Sequence, residues 1–462
     1  MLLICCVLFI INKENIEQKI LSSISSKITS ALNSNVQISN IDFKYNGEII
    51  LNNLNILDHK NDTLIFIEKI RTSILNSTNI LTSKTKINSL QVSNGKIKLN
   101  KYKGDSILNL QFFLNKTYPK SDNPSKEFEF NLKSFVVDNF TISFYNESNI
   151  VNELNNFKLS ASDLNLAKEY FNVDLNELSF VDNFNLNVTQ LSSKVQFDKT
   201  GLYINDILLN TPNSMINADI TSLDFNNTSV LNNQFQIKFS ESNISTNDLN
   251  LYFDTSLIND ESVEFNSYFE GSLLDTISGY LNFKFGSSSN AKILFELNDV
   301  LNNIKVNTTI DKFYTSYKDL TKFPDISNYN IPKFLDSTKY ISLTGDCNYF
   351  NNTLFNKYQI LTDFGELNID INLMNFLSKS LESKLFGTVK FKDFVFSNSS
   401  LFDADIKASA DFIIDGNVLP NQTLNSSLNG VFNELSIGDK LFKNILINGR
   451  TNNDVFTGNI YS

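Results

Sequence analysis

From Asn33 onward, the apolar residues of this chain recur at every second position rather than at helical spacing. Phe128, Phe130 and Leu132 alternate with Glu127, Glu129 and Asn131, and Phe140, Ile142 and Phe144 with Asn139, Thr141 and Ser143. The pattern returns at Phe184-Leu186-Val188, Phe235-Ile237-Phe239, Leu281-Phe283-Phe285, Ile293-Phe295-Leu297 and Ile304-Val306-Thr308-Ile310. It continues at Leu367-Ile369-Ile371-Leu373 and Ile406-Ala408-Ala410-Phe412-Ile414. Successive strand side chains point to opposite faces, so this period predicts strands with one dry face and one wet face. Turn-type residues at Asn94-Gly95, Lys103-Gly104-Asp105, Asp198-Lys199-Thr200-Gly201 and Asp415-Gly416-Asn417 punctuate the runs.

The expected fold is all-β and mostly antiparallel. About 400 residues at about 13 per strand and turn give roughly thirty strands, more than the ~10 an open sheet holds before it curls or splits. Two arrangements satisfy that count: several sandwiches, or one long curled sheet extending ~140 Å at ~4.8 Å per strand. Periodicity does not choose between them, and the lack of linkers favours the continuous sheet. Few segments break the cadence: Leu75 to Leu81 reads as a helical turn, and Lys116 to Lys126, with Pro119 and Pro124, as a loop. The longest irregular break, 315–338, holds Pro324 and Pro332.

The amino terminus departs from this pattern. Leu2, Leu3, Ile4, Val7, Leu8, Phe9 and Ile10 belong to an unbroken apolar run over residues 1–11. Ten residues rise ~15 Å as a helix, half of a ~30 Å hydrocarbon core, and no Lys or Arg precedes them. A shortened membrane anchor, a signal-peptide core and a buried strand all remain open, with the anchor favoured by the adjoining segment. Across 12–33, Ile16, Ile20, Leu21, Ile24, Ile28, Ala31 and Leu32 recur at helical spacing. The polar face of this amphipathic helix is mostly serine, which suits a plug at one end of a β structure better than a bilayer surface.

The composition excludes more than it suggests. The 462 residues carry 39 Lys+Arg against 50 Asp+Glu, with no basic cluster, so no nucleic-acid partner is expected. Cys5, Cys6 and Cys347 offer neither a disulfide framework nor a metal-binding pair. The one histidine, His59, reads as a solvated residue of the polar turn Asp58 to Asp62. No phosphate-binding glycine loop, zinc-protease helix or nucleophile elbow occurs. Carboxylate pairs such as Glu127/Glu129 and Asp403/Asp405 sit two apart on wet strand faces. No catalytic residue, metal or cofactor is expected, and the chain is read as a non-enzyme.

Three segments carry a resemblance to a known family. In the first, "ALNSNVQISNIDFKYNGEIILNNLNILDHKNDTLIFIEKIRTSI" leads into "INSLQVSNGKIKL", with a turn from Asp58 to Leu64 and a strand from Ile87 to Leu99. The second is "ISLTGDCNYFNNTLFNKYQILTDFGELNIDINL", and the third runs from Leu385 to Gly458 with "FGTVKFKDF" and "LINGRTNNDVFTG". In that order they resemble the AsmA-like superfamily, specifically the TamB (translocation and assembly module) proteins of Bacteroidetes-type bacteria. The likeness covers a minority of the chain and departs in its short anchor and in lacking the family's C-terminal domain, as an N-terminal fragment would. It implies a half-pipe over residues 34–462 whose apolar face conducts phospholipid acyl chains. It also implies an inner-membrane anchor, a periplasmic body, and contact with an outer-membrane barrel assembly protein through the missing region. The expected lining is Phe128, Phe130, Leu132, Phe140, Ile142, Phe144, Phe184, Leu186, Val188, Phe235, Ile237, Phe239, Leu281, Phe283, Phe285, Ile293, Phe295, Leu297, Ile304, Val306, Leu367, Ile369, Ile371, Ile406, Ala408 and Phe412. A scaffold for outer-membrane protein assembly and a structural or adhesive β protein are the alternative functions.

Overall fold

The computed structural model describes residues 34–44, 46–74, 84–117, 129–147, 149–167, 169–223, 233–252, 261–322, 338–375, 383–396, 405–418, 424–452 and 455–461. Ser22, Ser26, Thr29 and Ser30, also described, are helical. The apolar run over 1–11 and nearly all of the amphipathic segment lie outside these residues, as does Leu75 to Leu81.

The chain is all-β and divides into two compact units, Met1–Asp219 and Ile220–Ser462. The first holds β1 (Val36–Phe43), β2 (Glu48–Leu57), β3 (Thr63–Ile74), β4 (Lys84–Lys101) and helix α1 (Asn109–Thr117). It continues with β5 (Glu129–Asn146), β6 (Asn149–Ala167), β7 (Tyr170–Asp182), β8 (Asn187–Phe197) and β9 (Gly201–Asn210). Strand β10 (Met215–Leu223) spans the division between the units.

The second unit holds β11 (Gln234–Ser245), α2 (Thr246–Tyr252), β12 (Ser262–Gly271), β13 (Thr276–Phe285), β14 (Ser289–Asn298), β15 (Lys305–Thr315) and α3 (Tyr317–Leu320). Next come β16 (Ile341–Phe350), β17 (Thr353–Thr362), β18 (Gly365–Met374), β19 (Ser383–Phe396) and β20 (Ile406–Val418). The last three are β21 (Leu424–Ile437), β22 (Lys440–Asn452) and β23 (Val455–Tyr461).

Within each unit, strands pair with their sequence neighbours, giving an open ladder. From β11 to β23 every pairing is antiparallel. In the first unit one pair is parallel: β4 and β5 run the same way in matched register from Lys84↔Glu129 to Lys101↔Asn146. A parallel neighbour requires the chain to travel back along the sheet before it re-enters, and α1 begins that return. Its Phe113 packs on the buried cluster of Val36, Leu54 and Ile56.

The described strands number 23, fewer than the thirty expected, because several are long. Strands β4 and β5 have 18 residues each and β6 has 19. Two expected turns are strand interior instead: Asn94-Gly95 lies inside β4 and Asp415-Gly416-Asn417 inside β20. Asn94 takes φ 55°, and Asn53, Asn139 and Asn156 take 54°, 56° and 53° in β2, β5 and β6. Register matches Asn94 to Asn139, since their neighbours pair as Ser93↔Asp138 and Gly95↔Phe140, and Asn139 Nδ2 donates to Asn94 Oδ1 at 2.7 Å. Asn139 and Asn156 mark bulges, where the register shifts, whereas Asn53 and Asn94 keep register; asparagine tolerates the left-handed conformation better than most residues. The other two turns hold: Lys103-Gly104-Asp105 follows β4 on the way to α1, and Asp198 to Thr200 lead from β8 into β9 at Gly201.

Candidate functional site

Directly opposed residues of an antiparallel ladder project from the same face, so register alone traces each face across the strands. In the second unit one row runs Phe265↔Phe283, Phe283↔Ala291, Ala291↔Phe313, Phe313↔Leu343, Leu343↔Ile360 and Ile360↔Leu367. It continues through Leu367↔Phe391, Phe391↔Ala410, Ala410↔Phe432 and Phe432↔Ile445. The neighbouring row carries Leu281, Ile293, Ile310, Gly345, Tyr358, Ile369, Val389 and Phe412. Aromatic rings meet along this face: Phe269 lies 5.3 Å from Phe295, Phe239 5.7 Å from Phe265 and Phe412 5.4 Å from Phe432.

Most of these side chains are half-buried rather than sealed. The opposite face carries ion pairs and amide contacts, such as Lys284 with Glu264 at 3.5 Å and Asn282 Nδ2 donating to Asn266 Oδ1 at 2.8 Å. Shallow hollows open among these polar residues, one of about 580 Å³ between Asp346, Lys357, Asn368 and Lys390.

Glycines interrupt the apolar rows where backbones crowd. Gly345 (φ 144°) and Gly387 (φ 156°) sit where a Cβ would lie 2.0 Å from the carbonyl oxygens of Lys357 and Asp370. Only glycine fits such a conformation at this approach.

The expected lining residues divide between the two units. Phe235, Ile237, Phe239, Leu281, Phe283, Phe285, Ile293, Phe295, Leu297, Val306, Leu367, Ile369, Ile371, Ile406, Ala408 and Phe412 share the apolar face of the second unit. Ile304 precedes β15 and is not in a strand. In the first unit Phe140 and Ile142 oppose Gly95 and Ile97, and Phe140 is buried with Val92 and Val137. Phe144 opposes Leu99, Phe130 and Leu132 oppose Leu166 and Leu164, and Val188 opposes Phe180. Phe184 and Leu186 fall in the turn between β7 and β8, with Phe184 44% exposed, while Phe128 lies outside the described residues. Sequence reading missed Phe265, Phe269, Phe313, Leu343, Ile360, Phe391 and Phe432. Serine, glycine and one-residue bulge shifts break the alternation around several of them.

His59 lies exposed in its turn, as expected, and its ring is also held by neighbours. Its Nε2 meets Asp105 Oδ2 at 2.8 Å, and its ring stacks on Phe112 at 4.1 Å. Beside it, the Asp58 carboxylate accepts from Lys60 N at 2.8 Å, Asp62 N at 3.1 Å, Tyr102 Oη at 2.7 Å and Asn109 Nδ2 at 2.9 Å. Burial raises the Asp58 pKa, but the bonds from Asn109, Tyr102 and the two backbone amides outweigh it and hold the carboxyl below its ordinary value. The hub joins the β2–β3 turn to the start of α1 through Asn109, while Lys60 N and Asp62 N close the turn itself.

A second carboxylate hub, fully buried Asp319 on α3, binds the Gly286–Ser289 turn. It accepts from Ser288 N at 2.9 Å, Ser288 Oγ at 2.9 Å, Ser287 N at 3.2 Å and Ser289 Oγ at 3.0 Å. Burial pushes its pKa up, yet these donors hold it well below the usual carboxylate range. Among the described residues no group of His, Cys, Asp and Glu is placed to hold a metal ion, and no helix is long and apolar enough to cross a membrane. No model of a known family, no curated protein and no solved structure matches the chain.

Proposed function

We propose that this protein is a cell-envelope lipid conduit of the TamB/AsmA-like kind, in which phospholipid acyl chains lie along an apolar, half-pipe sheet face. The observation that carries the reading is the unbroken apolar row from Phe265 on β12 to Ile445 on β22, most of it half-buried. An acyl chain laid there gains ~0.8 kcal/mol per buried CH₂. Because neighbouring strands offer similar surface, movement along the face needs no catalytic residue. On this reading the protein is not an enzyme, is anchored in the inner membrane of a Gram-negative bacterium by its N-terminus, and lies mainly in the periplasm.

Adjacent residues of β14 supply the test. Ile293 belongs to the apolar face, and Leu294, 42% exposed, to the other. The purified chain is expected to carry phospholipid detectable by mass spectrometry. Ile293→Asp should lower that load at least about tenfold, the ratio that ~1.4 kcal/mol sets, while Leu294→Asp leaves it unchanged. A lipid-free wild-type protein, or equal loads in the two variants, would refute the reading.

A further inference from the structure

On the apolar face of the second unit a polar interruption spans three strands. Thr308 on β15 opposes Cys347 on β16, which opposes Asn356 on β17. The Tyr358 hydroxyl, one inward position further along β17, donates to Asn356 Oδ1 at 2.9 Å. Val306, Tyr349, Leu354 and Leu373 form the row on one side, while Ile310, Gly345 and Ile369 flank Tyr358 on the other. Phe295 and Ile371 close the two ends of the polar row.

Two features set this island apart from the rest of the face. First, β17 inverts the economy of the face: Asn356 points to the apolar side while its neighbour Phe355, 42% exposed, points to the polar side. Burial energetics favour the opposite arrangement. Second, hydrogen-bonding capacity is left over. Asn356 Nδ2 and the Thr308 hydroxyl have no hydrogen-bond partner among the described residues, although Asn356 Oδ1 and the Tyr358 hydroxyl are engaged. Burial, with the adjacent Cys347, raises the Tyr358 pKa above its ordinary value, so the phenol stays a neutral donor. A purely aliphatic segment crossing this point would strip water from these groups and return nothing to them.

We propose that Thr308, Cys347, Asn356 and Tyr358 form a hydrogen-bonding station in the apolar track, at which an amphiphile places a carbonyl oxygen attached to its chain. The Asn356 amide and the Thr308 hydroxyl donate to that oxygen. The ligand class is therefore chain-linked esters, such as diacyl glycerolipids, in preference to ethers of equal chain length. This rests on the lipid-conduit reading and adds to it a place where the ligand's linkage is read.

The test is competition. The full chain is incubated with vesicles holding equal amounts of dioleoyl-phosphatidylglycerol and its dialkyl-ether counterpart, re-isolated, and its bound lipid quantified by mass spectrometry. Two added hydrogen bonds predict an ester-to-ether ratio of about thirty. The variant Thr308→Val/Asn356→Leu/Tyr358→Phe should bring the ratio to about one without lowering total lipid. Asn356→Leu alone gives the same readout, reduced in size, if circular dichroism shows the triple variant unfolded. A wild-type ratio near one overturns the station but leaves the conduit standing, as does a preference that survives the substitutions. Absence of both lipids overturns the two together.

Discussion

At the scale of single residues, two carboxylates and two glycines hold more of the structure than their side-chain types suggest. Asp319 and Asp58 have folded pKa values below their unfolded ones. Their contribution is thus fully present above the unfolded pKa of about 4 and is lost as pH falls through the folded value. The urea midpoint should drop between pH 5 and pH 3, and Asp319→Asn, which swaps an acceptor for a donor facing Ser288 N, should flatten part of that drop. The same substitution should cost about 2–3 kcal/mol at pH 7 by denaturant titration. Gly387→Ala meets the Asp370 carbonyl oxygen at φ 156° and should cost about 1–3 kcal/mol. An unchanged unfolding midpoint would mean that the strand relaxes there. Neither aspartate announces itself in the sequence, because each depends on partners that only the fold brings near: Asn109 lies 51 residues from Asp58, and Ser288 lies 31 from Asp319.

At the scale of elements, the bulges explain why alternation reads cleanly in short runs and slips between them. Phe391 and Phe394 both face the apolar side although an odd number of positions separates them, since Asp393 takes φ 51° and the register shifts there. The same shift separates Val137 from Phe140 at Asn139, and Phe239 from Ser242 at Glu241. A slip of one position at Asn, Asp or Glu is thus a legible bulge signal. The Asn94-Gly95 pair misleads because the residues that favour a tight turn are the same ones that accept a left-handed conformation inside a strand. Local spacing does not mark α1 as a helix, yet Asn109 at its start is fully buried. Its Nδ2 donates to Asp58 Oδ2 and Lys98 O, and its Oδ1 accepts from Asn100 N at 2.9 Å. Asn109→Ala should destabilise the first unit by about 3 kcal/mol through the groups it strands. Hydrogen exchange should show the loss first at the β2–β3 turn and α1, and uniform protection would contradict the assignment.

At the scale of the molecule, the all-β class and the identity of the apolar side come from period-2 patterning. A shift by one residue would transfer a whole strand's side chains to the other face, so the pattern itself selects the pairing. Periodicity alone is equally consistent with several sandwiches and with one continuous sheet. Register settles the local question in favour of open ladders within each unit, by pairing each strand with its chain neighbours. The parallel β4–β5 junction, the Asn94–Asn139 amide contact and the Asn356 inversion are decided only in three dimensions. Each depends on which strand lies alongside which, and no local spacing records that. Patterning therefore determines what each side chain avoids, namely water or oil, whereas tertiary pairing determines what it meets. The polar island on the apolar face exists only through such meetings.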